Sequence, residues 1–164
     1  MARRVYFAFH YQNDISRVNV VRNSWLTHPN RETSGFFDSS LWEKAKKSGD
    51  SAIKRMIQDG LNGTSVTAFL LGSQTAWRPW VRYELEESYN RGNGMLAIRI
   101  NGIKNLQGLT SVGSPNIFET FWTTNALGQR QFFNSLYRIY DWVLDDGYNN
   151  LGSWVQQAAI DAGR

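Results

Sequence analysis

Short apolar runs alternate along the chain with stretches in which apolar residues recur at helical spacing. Residues 5–9 form a nearly continuous apolar run, which is typical of a strand buried on both faces. Residues 65–71 and 95–100 have the same character, and turn residues bound the first of these two runs. A brief strand at residues 35–37 and another within residues 132–143 complete a predicted set of five.

Four stretches have the apolar spacing of amphipathic helices. They are residues 14–25, 50–60, 79–91 and 151–163. The first begins at Asp14, a predicted N-cap, and the third has Pro79 in its first turn, where a missing N–H is tolerated. Residues 38–42 are predicted to form a loop rich in hydrogen-bonding groups, and residues 101–131 show no firm periodicity.

The alternation of strands and helices predicts one α/β domain over residues 1–164, with a flavodoxin-like fold. The expected architecture is a three-layer sandwich around a central, mostly parallel five-stranded sheet of order 2-1-3-4-5. Ligands bind such sheets beyond the carboxyl ends of the strands, where the strand order reverses. Here that point lies between the first and third strands, and it brings together residues 10–14, 38–42 and 72–75 with Glu84.

Composition and charge exclude several classes of protein. The net charge of +4 is scattered along the chain, so we expect no nucleic-acid partner. No run of about 18 apolar residues is present, and the Met-Ala-Arg-Arg start lacks the features of a signal peptide, so we expect a cytoplasmic protein without a membrane partner. The chain has no cysteine, and His10 and His28 lack partners at ligand spacing, so we expect no metal. The sequence also lacks the glycine-rich loops of dinucleotide-binding and nucleoside-triphosphate-hydrolysing proteins and the phosphate loop of flavodoxins. We therefore expect no flavin, no hydride transfer and no nucleoside-triphosphate hydrolysis.

Glu84 is the candidate catalytic residue. It follows Trp80 by one helical turn and lies beside Arg82 and Tyr83, so it can face a cleft that suits a nucleotide. The alternative is that Glu84, with Glu86 and Glu87, belongs to a solvated helix face with ordinary ion pairs.

Other candidates surround Glu84 at the predicted crevice. Tyr11, Trp42 and Trp80 are candidates to stack on the base of a nucleotide, or else to pack in the core. Arg82 is a candidate for the pyrophosphate, or else an ordinary helical ion-pair partner of Glu86. The full predicted set of substrate-binding residues is Phe9, His10, Tyr11, Asp38, Ser39, Trp42, Ser73, Trp80 and Arg82.

The chain resembles the TIR-like (Toll/interleukin-1 receptor-like) proteins of bacterial Thoeris anti-phage defence. The segments that carry the resemblance are VYFAFHYQ (residues 5–12), RVNVVRN (17–23), FDSSLWE (37–43), GSQT (72–75), WVRYE (80–84) and YDWV (140–143). The most specific of them is the Trp-x-x-x-Glu from Trp80 to Glu84. Two departures are Ala8, where many relatives carry serine, and a shorter stretch between the fourth and fifth strands.

The resemblance implies a TIR-type enzyme that cleaves NAD and returns a cyclic ADP-ribose isomer as a signal to a separate effector. By position, Glu84 matches the catalytic glutamate of the family. NAD is then the substrate, and no cofactor is needed. The resemblance is compatible with a phage-derived trigger and with homo-oligomerisation on activation. Two rivals remain, a non-enzymatic TIR interaction module and a nucleoside deoxyribosyltransferase-like enzyme.

Overall fold

The computed structural model describes residues 3–35 and 39–164, with the side chains of residues 39 and 40 outside the description. The strands are β1 (Arg3–Ala8), β2 (Arg31–Ser34), β3 (Val66–Leu71), β4 (Gly94–Arg99), β5 (Trp122–Thr124), β6 (Arg130–Phe132) and β7 (Arg138–Asp141). The helices are α1 (Tyr11–Leu26), α2 (Ser39–Ser48), α3 (Asp50–Leu61), α4 (Pro79–Asn90) and α5 (Gly147–Asp161).

Five of the strands form one sheet with the order β2-β1-β3-β4-β7, and each pairing within it is parallel. The predicted order 2-1-3-4-5 is therefore confirmed, with β7 as the fifth strand. The chain leaves β1 toward β2 and then crosses back to β3, so the strand order reverses between β1 and β3. Ala8 of β1 lies opposite Phe69 of β3, which brings the loops after these two strands to the same edge of the sheet.

Alternating side chains of the strands supply two hydrophobic layers, one on each face of the sheet. Val5 and Phe7 of β1 pack toward α1 and α5, together with Val18 and Val155. Tyr6 and Ala8 point the other way, toward the layer that contains residues of α3 and α4. A residue of β1 on this second face can therefore meet a residue of α4 inside the protein.

The first half of the chain differs from the prediction at two elements. The second strand is β2 (Arg31–Ser34), a polar edge strand, while the predicted strand at residues 35–37 begins with a bend at Gly35. Phe36 and Phe37 lie outside the described residues. Helix α2 (Ser39–Ser48) occupies most of the predicted loop at residues 38–42, and only Ala45 of its described side chains is buried.

One further detail of the prediction is wrong. Asp14 is no N-cap: α1 begins at Tyr11 with His10 as its N-cap, and Asp14 lies buried in the first turn. The strand predicted within residues 132–143 is confirmed as β7, while the start of that stretch contains the end of the hairpin strand β6 and a 3-10 turn at Phe133–Ser135. Among the helices that the structure describes, none has the length and apolar character required to cross a membrane.

Candidate active site

A cavity of about 270 Å³ opens at the carboxyl edge of the sheet, where β1 and β3 end. This is the place at which the reversal of strand order predicts a crevice. Its lining comes from the residues after β1, from α2 and from the start of α4. These residues are Phe9, His10, Tyr11, Gln12, Trp42, Lys46, Arg78, Pro79, Trp80, Val81 and Glu84.

Glu84 lies in the second turn of α4 and is 2 % exposed, so the alternative of a solvated helix face is wrong. Burial raises the pKa of its carboxyl group well above the usual range, and the nearby Tyr6 hydroxyl lowers that pKa in part. Its Oε2 atom is buried without a hydrogen-bond partner in the described part of the chain. A buried carboxylate oxygen without a partner is costly to fold, which is typical of a group that meets a ligand.

Tyr6 reaches Glu84 from β1 because alternate residues of that strand face α4. It is fully buried, and burial together with the neighbouring Glu84 carboxylate raises the pKa of the Tyr6 hydroxyl well above its usual range. The Tyr6 hydroxyl is therefore neutral, and it lies next to the carboxyl group of Glu84.

Aromatic rings form much of the cavity wall. Trp80 packs edge-on against Tyr83 at 5.8 Å between ring centroids, and Tyr11 lies 6.1 Å from Phe9. Trp42 of α2 is half-buried and also lines the cavity. Flat aromatic faces around a small space suit a planar heterocycle, which gains stacking contacts on several sides.

His10 follows β1 and is half-buried at the cavity. Its Nδ1 atom is buried and has no hydrogen-bond partner among the residues that the structure describes. Burial and, after it, the positive charge of Arg78 lower the pKa of His10. The ring is thus held neutral near pH 7 and presents either a donor or an acceptor to a ligand.

The loop after β3 is held in place by a buried carboxylate. Thr75 Oγ1 accepts a hydrogen bond from the backbone N–H of Gly72 at 2.8 Å and donates one to Asp14 Oδ2 at 3.4 Å. A Cβ atom at Gly72 would lie 2.2 Å from Asp14 Oδ2, so only glycine allows the carboxylate to pack there. Burial raises the pKa of Asp14, while Arg17, whose Nη1 lies 3.9 Å away, opposes that increase.

The same loop places Arg78 at the cavity. Gln74 Oε1 accepts hydrogen bonds from Asn13 Nδ2, at 3.1 Å, and from Nη2 of Arg78. Arg78 is the N-cap of α4 and lines the cavity together with Lys46 of α2. The start of α1 and the loop after β3 therefore fix one cationic side chain at the entrance to the site.

Six of the ten predicted site residues line the cavity: Phe9, His10, Tyr11, Trp42, Trp80 and Glu84. Ser73 follows β3 but does not line the cavity. Arg82 lies on another side of α4, where Nη1 donates a hydrogen bond to Thr120 at 2.8 Å and its guanidinium covers the Phe121 ring at 4.3 Å. Asp38 lies outside the described residues, and Ser39 begins α2 with its side chain outside the description.

The sequence did not single out several residues that the structure places here, among them Tyr6, Lys46 and Arg78. Tyr6 has the pattern of an ordinary core residue, and its proximity to Glu84 depends on contact between β1 and α4. The position of Arg78 could have been predicted. This residue directly precedes Pro79 at the predicted start of a helix, and that helix begins at the carboxyl edge of the sheet.

A larger cavity of about 540 Å³ lies at the opposite edge, near the starts of β4 and β7 and the end of α5. The carboxylate that lines it, Asp161, is exposed. Glu84, the buried carboxylate with an unpartnered oxygen, lies at the smaller cavity, so we assign the candidate active site there. Within the described residues, no cluster of three or more metal-ligating side chains occurs.

Fold and site together define an α/β domain with a buried glutamate beneath an aromatic cavity at the carboxyl edge of a parallel sheet. The family model for the Thoeris protein ThsB, TIR-like domain, matches residues 6–105, which include the second half of β1 and the whole of α4 with Glu84. The chain belongs to this ThsB TIR-like family.

A relative in Bacillus cereus (strain MSX-D12), named "Putative cyclic ADP-D-ribose synthase ThsB1", is 43 % identical over 191 residues. The alignment covers 94 % of this chain and 100 % of the relative. The alignment is longer than the 164 residues of this chain, so the relative contains segments without a counterpart here.

Proposed function

We propose that this protein cleaves the bond between nicotinamide and ribose in NAD and joins the resulting ADP-ribosyl group to itself, giving a cyclic ADP-ribose isomer. The observation that carries the proposal is the buried carboxylate oxygen of Glu84, which has no hydrogen-bond partner among the described residues and lies at a cavity walled by aromatic rings. The name of the Bacillus cereus relative supports the same reaction.

The chemistry needs only one carboxylate. Nicotinamide is cationic while it is bonded to ribose and neutral once it has left, since the electron pair of the broken bond moves to its ring nitrogen. The leaving group therefore needs no proton from a general acid. Positive charge develops on the ribose as the bond stretches, giving an oxocarbenium-like transition state. The carboxylate of Glu84 stabilises that charge at close range in a site from which most water is excluded.

The fate of the ribosyl cation decides the product. Attack by a nitrogen of the adenine or by a ribose hydroxyl of the same molecule, with loss of a proton, closes a ring. Attack by water, also with loss of a proton, gives linear ADP-ribose. Trp42, Trp80 and Tyr11 favour cyclisation by occupying positions from which water would approach and by holding flat rings against the wall.

The cyclic product then serves as a signal that activates a separate effector during anti-phage defence. In this scheme the protein acts in the cytoplasm, NAD is its substrate rather than a resident cofactor, and a phage-derived trigger and self-assembly control its activity. Family membership supports this setting for the reaction.

The test is product analysis by mass spectrometry after NAD is incubated with the wild-type protein, with Glu84→Gln and with Glu86→Gln. Glu86 is an exposed carboxylate on the same helix, so its variant controls for a general loss of negative charge. Lysate from phage-infected cells supplies any trigger. We expect nicotinamide and a product one water lighter than ADP-ribose from the wild type and from Glu86→Gln, and neither from Glu84→Gln.

Linear ADP-ribose as the main product would make the protein a hydrolase. Absence of NAD consumption by the wild type under triggered conditions would refute the proposed reaction and favour an interaction module. Nicotinamide release from Glu84→Gln at the wild-type rate would refute the role of Glu84.

A further inference from the structure

The charges around the candidate active site are arranged along its depth. Glu84 lines the cavity and is 2 % exposed, so it is the charged lining residue that lies farthest from solvent. Arg78 is half-buried and Lys46 is exposed, so both cations lie nearer to solvent. A ligand with a cationic head and an anionic tail would enter in one orientation, with its head toward Glu84.

Arg78 is available for an anion. In the described part of the chain it forms no ion pair with a carboxylate within 4.0 Å, and its recorded partner is the neutral oxygen of Gln74. Its positive charge nevertheless reaches the cavity, because it lowers the pKa of the neighbouring His10. Lys46 has one carboxylate partner, Glu43, at 3.9 Å on an exposed surface, where such a contact contributes little.

The start of α4 adds hydrogen-bond donors beside Arg78. Pro79 is the first residue of this helix and no side chain caps it, while Trp80 and Val81 line the cavity. The backbone N–H groups of a first helical turn have no partners within the helix and favour anions. A buried Glu84 with an unpartnered oxygen marks the same cavity independently as a ligand site.

The volume of the cavity indicates how much of the substrate lies inside. At about 270 Å³ it is smaller than most sites that enclose a whole drug-sized ligand, which begin near 300 Å³. A nicotinamide–ribose unit fits such a space better than a complete dinucleotide. The diphosphate that follows this unit would then lie at the mouth.

We propose that Arg78 and Lys46 form the diphosphate subsite of the substrate, with Arg78 as the main contact, and that this subsite fixes the nicotinamide end toward Glu84. The inference rests on the proposed function and assigns to Arg78 the role that the sequence suggested for Arg82. Arg78 presents a planar fork of donors that matches two phosphate oxygens, whereas Lys46 supplies a mobile point charge. Gln74 is a positioning residue, since it holds the guanidinium of Arg78.

The first experiment measures binding of ADP-ribose by isothermal titration calorimetry, which requires no turnover. We expect Arg78→Gln to raise the Kd about tenfold, which corresponds to about 1.4 kcal/mol. Lys46→Gln should raise the Kd about threefold, and Arg78→Lys should recover part of the loss because it keeps the charge. The matched controls are Arg55→Gln on α3 and Lys47→Gln on α2, two exposed residues outside the cavity lining.

Three results of this titration would overturn the subsite. They are no binding of ADP-ribose to the wild type, equal Kd values for the wild type and Arg78→Gln, and a larger loss for Arg82→Gln than for Arg78→Gln. Circular dichroism of each variant shows whether it is folded. If Arg78→Gln is misfolded, Arg78→Lys is compared with the wild type instead. We expect its Kd for ADP-ribose to be about threefold higher, and an unchanged Kd would refute the bidentate contact.

The second experiment compares NAD with nicotinamide riboside, which carries the same leaving group but no phosphate. We expect Arg78→Gln to raise the KM for NAD about tenfold, to leave kcat within about threefold, and to leave kcat/KM for nicotinamide riboside unchanged. Equal losses on both substrates would refute the subsite. A wild-type protein that binds ADP-ribose through Arg78 but cleaves no NAD under triggered conditions would refute the proposed reaction and leave the subsite intact.

Discussion

Replacement of Glu84 by glutamine should abolish catalysis and at the same time stabilise the fold. Glu84 is 2 % exposed, and burial raises the pKa of its carboxyl group well above the ordinary value of 4.5. The unfolded chain loses the proton of this group near that ordinary value, whereas the folded chain retains it to higher pH. The contribution of this group to the free energy of unfolding is therefore fully present below the unfolded pKa, and it is lost as the pH rises toward the folded pKa.

The size of the effect follows from proton linkage. While the folded protein keeps the proton and the unfolded chain does not, each pH unit lowers the free energy of unfolding by about 1.4 kcal/mol. From pH 5.5 to pH 7.5 the wild type loses at most about 2.7 kcal/mol through this group. Glutamine has no proton to lose, so the variant avoids this loss. For a chain of this length, the difference corresponds to about 5–10 °C in Tm.

The assay is thermal unfolding of the wild type, Glu84→Gln and Glu86→Gln at several pH values in this range. We expect the Tm advantage of Glu84→Gln over the wild type to widen as the pH rises. The exposed Glu86 provides the control, and its variant should differ from the wild type by a constant amount. An advantage of Glu84→Gln that stays the same at each pH would refute the reasoning.

The same substitution should lower the rate of nicotinamide release about a hundred- to thousandfold, the usual effect of removing one preorganised electrostatic contact. Greater stability combined with lost activity would separate a functional carboxylate from a structural one. A variant that lost both stability and activity would indicate that Glu84 supports the fold.

Three further substitutions test the surroundings of Glu84. Tyr6→Phe removes the hydroxyl that lowers the pKa of Glu84, so the pH at which activity reaches half its maximum should rise. Gly72→Ala places a Cβ atom against the carboxylate of Asp14, at 2.2 Å, and should lower the free energy of unfolding by about 1–3 kcal/mol in thermal melts. Trp80→Ala removes a stacking surface from the cavity wall and should raise the KM for NAD at least several-fold, since stacking of a base on an aromatic ring contributes about 1–3 kcal/mol.

Each of these predictions has a matched comparison or a contradicting result. A pH–activity profile of Tyr6→Phe that coincides with the wild-type profile would contradict the first. Gly113→Ala is the control for the second, because the atom nearest to its new Cβ lies 3.7 Å away. For the third, Trp77 is 60 % exposed and lines no part of the cavity, so Trp77→Ala should retain the wild-type KM, and an equal increase in both variants would contradict the prediction.

The sequence predicts the central elements well because their patterns arise from burial. Residues 65–71 became β3, with each position from Val66 to Leu71 buried, and the proline at the start of α4 marks its first turn. The edge strand β2 was misplaced because an edge position needs no apolar run, so its RETS sequence gave no signal. Helix α2 was missed since Ala45 is the one buried residue among its described side chains.

The site was predicted where it depends on chain order and missed where it depends on packing. Glu84, Trp80 and the residues after β1 were found because a parallel sheet delivers them to one edge. The choice between Arg78 and Arg82 could not be made from the sequence. These residues lie one helical turn apart. The hydrogen bond from Arg82 to Thr120 shows that the side chain of Arg82 points away from the cavity.

The raised pKa of Glu84 is consistent with a substrate that carries a positive charge, as nicotinamide does in NAD. No lysine or arginine in the described part of the chain pairs with Glu84 within 4.0 Å, so burial favours the protonated form of its carboxyl group. A bound nicotinamide ring brings a positive charge close to this group and favours the ionised form that catalysis requires. As the glycosidic bond breaks, that charge moves from the ring to the ribose, and the carboxylate remains beside it while the neutral ring leaves. A buried glutamate that pairs with no cation among the described residues is therefore matched to a substrate that carries the cation.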